Sequence, residues 1–121
     1  MAKTLFRAGD LVWIDLDPTL GGEKSKTRPC LVLVDSGHPW GILIVVPVTD
    51  AAGKRSPALF VPIAADASTG LKKPSLIDCY QIRCLAGQRL GAKLGTASPE
   101  TLAEVRVRIA KILDIGEEHV R

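Results

Sequence analysis

Short apolar runs, separated by polar and Gly- or Pro-containing segments, dominate the first three quarters of the chain. The first run, Leu11 to Leu16, ends at Asp17-Pro18. Proline has no N–H to donate to a sheet ladder, so this pattern predicts a strand that ends there. Two continuous apolar runs follow at 30–34 and 42–48, separated by turn residues. They predict adjacent core strands joined by a turn.

Three more strands are predicted further along the chain. Leu59 to Ile63 forms an apolar run that contains Pro62, which indicates a short strand or one near a sheet edge. The longer segment from Pro74 to Leu85 is predicted to be a single strand, and Arg89-Leu90 is predicted to begin a shorter one.

One helix is predicted, from Pro99 to about Leu113. Ser98 is a favourable N-cap, Pro99 suits the first helical position, and Glu100 lies in the first turn. Apolar residues then recur at helical spacing, namely Leu102, Val105, Ile109, Ile112 and Leu113. We expect this helix to pack its apolar stripe against the strands.

Many short strands and one terminal helix favour a mainly β fold, a small and strongly curved barrel closed by a C-terminal helix. The 121 residues contain no repeat or linker-like segment, so residues 1–121 are expected to form one domain. Sites in such folds usually lie on the rim loops.

Composition is that of a soluble folded protein, with 46% apolar and 24% charged residues. The longest apolar stretch, 41–48, is too short to span a bilayer, and the N-terminus lacks a secretory h-region. A cytoplasmic location is therefore expected. The net charge of +3 is compatible with a polyanionic partner but does not by itself indicate one.

The three cysteines, Cys30, Cys79 and Cys84, are odd in number and form no C-x-x-C pair. Together with His38 and His119 they do not make a credible zinc set. We therefore expect buried reduced thiols, and neither a metal nor another cofactor.

Two polar residues adjoin the predicted core strands directly. Arg28 lies where the Gly- and Lys-containing loop 19–27 enters a buried strand, and Thr49 follows the end of the next one. If these strands are antiparallel neighbours, Arg28 and Thr49 share one rim. A guanidinium beside a hydroxyl can hold a phosphate and stabilise charge that develops on it. Lys24 and Lys26 on the loop could then follow a nucleic-acid backbone.

Several blocks in this order resemble the MazF/PemK (Kid) toxin family, from about Phe6 to about Leu113. They are Gly9 to Pro18, Gly21 to Lys24, Thr27-Arg28-Pro29, Val45 to Thr49, Asp78 to Arg83, and Gln88-Arg89-Leu90. The resemblance implies an SH3-like barrel and a homodimer. It also implies a metal-independent endoribonuclease that cuts single-stranded RNA (mRNA) at short motifs. A cognate MazE/PemI-like antitoxin would block its RNA groove.

The resemblance also implies that Arg28 and Thr49 carry catalysis. The expected RNA-binding residues are Glu23, Lys24, Lys26, Asp50, Lys72, Gln81 and Arg83. For Gln81 and Arg83 a dimer contact, or simple exposure on a strand, is as good an interpretation. Trp13 and Trp40 could stack bases, although Trp13 is better explained as core or interface. Some family members have Ser in a G-S-E-Q loop where this chain has Gly22.

The expected chemistry is attack by the RNA 2′-hydroxyl on the adjacent phosphate, leaving 2′,3′-cyclic phosphate and 5′-hydroxyl ends. Arg28 would stabilise charge, and Thr49 would bind the phosphate or orient the 2′-hydroxyl. Glu23 and Asp50 are both candidates for the general base. One alternative is a CcdB-like toxin that binds gyrase without catalysis, and another is an inactive relative that titrates an antitoxin. The presence of both Arg28 and Thr49 favours the nuclease.

Overall fold

Seven strands and one C-terminal helix make up most of the computed structural model, which describes residues 6–23, 26–35, 41–51 and 56–116. The strands are β1 (Asp10–Asp15), β2 (Thr27–Val32), β3 (Ile42–Asp50), β4 (Phe60–Ile63), β5 (Ser75–Asp78), β6 (Arg83–Ala86) and β7 (Leu90–Thr96), and the helix is α1 (Pro99–Ile112). Short 3-10 turns, Cys79–Gln81 and Gly87–Arg89, flank β6. The predicted mainly β fold with a C-terminal helix is confirmed.

All described strand pairs are antiparallel, in the order β4-β5-β3-β2-β1-β7. The long strand β3 joins two parts of the sheet, because its first half pairs with β2 and β6 and its second half pairs with β5. Among the described residues no ladder connects β4 to β7. The hydrogen-bonded sheet is therefore open at that point and not a closed ring.

The predicted strands β1 to β4 and β7 are present, and β2 and β3 are antiparallel neighbours as expected. Pro62 lies in β4, at an end of the strand order, which confirms its edge position.

The prediction of one strand from Pro74 to Leu85 is wrong. Both β5 and β6 pair with β3, but Val48 faces Ile77 whereas Val45 faces Arg83. The two pairs are three residues apart on β3 but six residues apart on the segment that contains β5 and β6. The 3-10 turn Cys79–Gln81 accommodates the three extra residues. Asp78 caps this turn by accepting a hydrogen bond from the Tyr80 N–H at 3.2 Å.

The core consists of two clusters on opposite sides of the central strands. In β1, Leu11 belongs to one cluster and Val12 and Ile14 to the other. Burial on both faces explains why β2 and β3 appear as continuous apolar runs instead of alternating ones. Helix α1 covers the first cluster with Val105 and Ile109.

Helix α1 begins as predicted, since the Ser98 hydroxyl oxygen accepts a hydrogen bond from the Thr101 N–H at 3.1 Å. It ends at Ile112, and Leu113, predicted to belong to the apolar stripe, is 55% exposed. No helix among the described residues combines the length and the apolar character needed to cross a membrane.

The thiols do not all fit the prediction of burial. Cys30 and Cys79 are buried, but Cys84 is exposed, since it precedes the inward-facing Leu85 on β6 and lies on the opposite face. Burial raises the pKa of Cys30 to about 12, partly offset by nearby Arg28. Burial, with a smaller contribution from Asp78, raises the pKa of Cys79 to about 11.

Candidate functional site

The candidate site lies where β2 and β3 separate. Their ladder ends at the pair Cys30 and Pro47. Beyond it β2 continues to pair with β1, and β3 continues to pair with β5. A gap opens between the two strands, and Arg28 and Thr49, each two residues past the last pair, lie on its two sides. The antiparallel arrangement expected from the sequence thus brings Arg28 and Thr49 together.

Both residues line one cavity of about 300 Å³, which we call the first cavity. Thr49 is 9% exposed and Arg28 is half-buried. The other lining residues are Trp13, Pro29, Val48, Asp50, Gly70, Leu71, Lys72, Lys73, Ser75 and Leu94. Arg28 carries a permanent charge with five donors in a planar fork. A guanidinium and a hydroxyl on one partly apolar wall are suited to hold an anion away from bulk water.

Further charged side chains that line the first cavity affect the binding of an anion there. Asp50 and Lys72, both predicted site residues, line it, and Lys73 lies beside them. The Lys73 ammonium forms an ion pair with Asp50. Both partners are at least half exposed, so the pair adds little stability. The lining of the first cavity thus contains three basic side chains, Arg28, Lys72 and Lys73, and one acidic side chain, Asp50.

Trp13 also lines this cavity, so the interpretation of Trp13 as a core residue is wrong, while an interface position and base stacking stay predictions. It faces Pro29 across the β1–β2 ladder and is 37% exposed. Leu71 and Leu94 were missed as well. No local pattern marks these three residues, since they come from separate chain segments that meet only in the folded sheet.

Three more predicted residues, Glu23, Gln81 and Arg83, line a second cavity of about 480 Å³. Its lining is Leu16, Gly22, Glu23, Pro47, Tyr80, Gln81, Ile82 and Arg83. Pro47 borders this cavity whereas Val48 to Asp50 border the first, so the two cavities adjoin along β3. Tyr80, at 64% exposure, offers an aromatic ring that the sequence analysis did not single out. No clear signal marked Tyr80, because it follows the apolar Cys79 within the segment predicted to be a single strand.

Gln81 and Arg83 both donate hydrogen bonds to the segment between β1 and β2. The Gln81 side-chain amide donates to the Gly22 carbonyl at 3.1 Å. An Arg83 guanidinium N–H donates to the Leu16 carbonyl at 3.2 Å. Lys26 is exposed at the other end of this segment, in the left-handed region with φ 67°. Lys24 and Trp40 lie outside the described residues.

Within the described part of the chain, no three His, Cys, Asp or Glu side chains form a group that could hold a metal ion. His38 and His119 lie outside it. The polar chemistry of the two cavities is therefore that of cations, hydroxyls, amides and the carboxylates Glu23 and Asp50.

Comparisons with known proteins agree on one family. Residues 7–113 match the family model described as PemK-like, MazF-like toxin of type II toxin-antitoxin system. The protein named endoribonuclease MazF9 from Mycobacterium tuberculosis is 30% identical over 120 residues, which cover 92% of this chain and 98% of that protein.

Solved structures show the same likeness. The crystal structure of MazF from Deinococcus radiodurans superposes with a TM-score of 0.80 at 28% identity, covering 93% of this chain and all of that one. A MazE-MazF crystal structure from the same organism matches with a TM-score of 0.71 at 26% identity, again over 93% of this chain and all of that chain. The name endoribonuclease, given to the Mycobacterium tuberculosis relative, favours a nuclease over a gyrase-binding toxin.

Proposed function

Since the chain belongs to the PemK-like, MazF-like family of type II toxins, we propose that it is a toxin with endoribonuclease activity on single-stranded RNA. The observation that carries the proposal is the meeting of Arg28 and Thr49 in one cavity where β2 and β3 separate. A gyrase-binding or purely antitoxin-binding protein would not require this pair. The whole chain acts as one toxin domain, in the cytoplasm where mRNA is found.

In the proposed reaction the RNA supplies its own nucleophile. The 2′-hydroxyl oxygen bonds to the adjacent phosphorus, the bond to the 5′-oxygen breaks, and 2′,3′-cyclic phosphate and 5′-hydroxyl ends result. Arg28 donates to the non-bridging oxygens, whose negative charge grows as the 2′-oxygen adds. Thr49, buried beside it, holds the phosphate or orients the 2′-hydroxyl. No metal ion takes part in this scheme.

The 2′-hydroxyl passes its proton to a general base, and the leaving 5′-oxygen takes up a proton from water. Asp50 lines the first cavity with Arg28 and Thr49, whereas Glu23 lines the second. We therefore assign the general base to Asp50. Its replacement by Asn keeps the shape but removes the proton acceptor, and should reduce kcat by about 100-fold or more. Glu23→Gln is the matched control and should leave kcat close to wild type.

The two cavities have different tasks in RNA binding. In the first, Lys72 adds to the charge that holds the backbone. In the second, Tyr80 offers a ring on which a base can stack, while Glu23, Gln81 and Arg83 surround it. Lys24 and Lys26 follow the incoming strand.

Two protein partners are part of the proposal. A second copy of the chain would cover exposed apolar side chains such as Ile42, Val107 and Leu113. A MazE/PemI-like antitoxin would bind the toxin, as in the MazE-MazF structure of the related protein. Light scattering of the purified toxin tests the dimer, and co-purification with a co-expressed small upstream reading frame tests the antitoxin.

The decisive experiment incubates purified protein with a long RNA of varied sequence in EDTA. We expect cleavage with cyclic phosphate ends, while a single-stranded DNA of the same sequence stays intact because it lacks the 2′-hydroxyl. Arg28→Ala and Thr49→Ala should each lose about 100-fold or more in rate. Arg28→Lys retains the charge but loses the planar fork, so it separates the two contributions.

Circular dichroism melting of each variant controls for folding. No cleavage by wild-type protein on any sequence, or undiminished cleavage by both alanine variants, would refute the proposal. Cleavage that disappears on EDTA treatment would refute the proposed metal independence but not the proposed ribonuclease activity.

A further inference from the structure

The segment between β1 and β2 carries a small preformed turn, which we call the loop tip (Leu20–Glu23). The Glu23 N–H donates to the Leu20 carbonyl at 3.1 Å, and the Leu20 N–H donates to the Glu23 carboxylate at 2.7 Å. Gly21 has φ 55°, a backbone conformation that residues other than glycine rarely adopt. The tip therefore has an internal structure of its own.

The loop tip makes little side-chain packing. Leu20 is 82% exposed. Gly22 has no side chain, and a Cβ placed on it would meet no heavy atom within 4 Å. Although side-chain packing is sparse here, the Gly22 carbonyl accepts a hydrogen bond from the Gln81 side-chain amide at 3.1 Å. The two residues are 59 positions apart in the sequence. Among the contacts of the described residues, this hydrogen bond joins the tip to the turn Cys79–Gln81.

Gln81 lies next to the aromatic residue of the second cavity. It follows Tyr80 on the 3-10 turn, and both line this cavity together with Gly22 and Glu23. The hydrogen bond from Gln81 to Gly22 therefore joins the 3-10 turn that carries Tyr80 to the tip that carries Glu23.

We propose that Gln81 is a positioning residue that holds the loop tip against the second cavity and so determines which RNA bases the cavity admits. This inference rests on the proposed function. It assigns to Gln81 a role different from direct RNA contact, because the amide nitrogen donates to the protein's own backbone.

The root of the same segment does not depend on Gln81. There the Leu16 N–H donates to the Lys26 carbonyl at 3.0 Å, and Arg83 donates to the Leu16 carbonyl. The β1–β2 ladder continues directly from it, with Arg28 facing Ile14. Loss of the Gln81 hydrogen bond should therefore release the tip while Arg28 stays in place. The expected signature is a change in KM with kcat retained.

The test compares Gln81→Met, which keeps the length of the side chain but removes the donor, with Gln88→Met, the same change at an exposed site on the other 3-10 turn. For Gln81→Met we expect KM for RNA to rise about threefold to tenfold, because the loss of one such hydrogen bond has an effect of this size. We expect kcat to stay within about twofold of the wild-type value. The distribution of cleavage sites should broaden. Gln88→Met should resemble wild type in KM, in kcat and in the distribution of cleavage sites.

Amide hydrogen exchange of residues 17–23 in RNA-free protein supplies a readout independent of activity. Faster exchange in Gln81→Met, together with the raised KM, supports the inference. A raised KM with unchanged exchange would mean that Gln81 contacts RNA directly and would overturn it, as would faster exchange with unchanged KM. If wild-type protein cleaves no RNA, the proposed function fails, and exchange alone decides whether Gln81 holds the tip.

Discussion

Gly95 of β7 offers a sharp test of how the wall of the first cavity is held. A Cβ added at this position would lie 2.3 Å from the Thr69 carbonyl oxygen and 2.4 Å from that of Ser68. Carbon and oxygen normally approach to about 3.3 Å, so the turn must move by about 1 Å. These atoms are backbone, and no rotamer change can relieve the contact. Gly95→Ala is therefore expected to be destabilising.

The turn that would have to move is firmly attached. The Thr96 N–H donates to the Ser68 carbonyl at 2.8 Å, and the buried Thr69 hydroxyl donates to the Ala64 carbonyl at 2.9 Å. Asp66 accepts hydrogen bonds from the N–H groups of Ser68 and Thr69, each at 2.9 Å. Forced overpacking of this kind costs about 1–3 kcal/mol. For a chain of this size that corresponds to a fall in Tm of about 4 to 12 °C.

The assay is thermal unfolding followed by circular dichroism, with urea unfolding as a second measure. Gly22→Ala is the matched control, because its added Cβ meets no heavy atom within 4 Å. The turn at 66–69 leads into Gly70 to Lys73, which line the first cavity, so Gly95→Ala should also raise KM for RNA. Equal Tm values for Gly95→Ala and Gly22→Ala would refute the reasoning.

Three further predictions concern the helix, the thiols and the second cavity. Ser98→Ala should lower the free energy of unfolding by about 1 kcal/mol in urea while Ser98→Asp retains the cap; equal losses would contradict the capping role. A thiol reagent at pH 8 should modify Cys84 rapidly in native protein, and Cys30 and Cys79 only after unfolding, because burial protects them and raises their pKa; three fast thiols would show this to be wrong. Tyr80→Ala should raise KM for RNA about tenfold and Tyr80→Phe should not, since stacking needs the ring and not the hydroxyl; equal effects in the two variants would exclude stacking.

The sequence prediction was most accurate where the signal is local. The helix start at Ser98 and Pro99 depends on capping within a few residues, and the existence of β1 and β3 depends on apolar runs. The change from apolar to polar residues did not predict the end of β3, because that strand continues through Thr49 and Asp50. The prediction was also wrong for Pro74 to Leu85, because the break at Cys79–Gln81 accommodates a register difference along β3 that no local pattern reveals.

The candidate site could likewise be predicted where its signal is local, and not where it depends on contacts between distant segments. Arg28 and Thr49 could be paired from the sequence, since each adjoins a buried run and neighbouring antiparallel strands place such positions side by side. Trp13 and Leu94 could not be assigned to the cavity, because its wall depends on where β1 and β7 lie beside the gap.

The order of residues alone determines that this chain forms short buried strands and one capped helix, and that a charged and a hydroxyl side chain adjoin two of the apolar runs. These properties follow from hydrogen-bonding capacity and apolar periodicity, which act over a few residues. The tertiary structure decides that β2 and β3 separate just beyond Cys30 and Pro47 to form a cavity, and that Gln81 reaches Gly22. Both are contacts between distant segments, and they exist only once the packing of the whole sheet has brought those segments together.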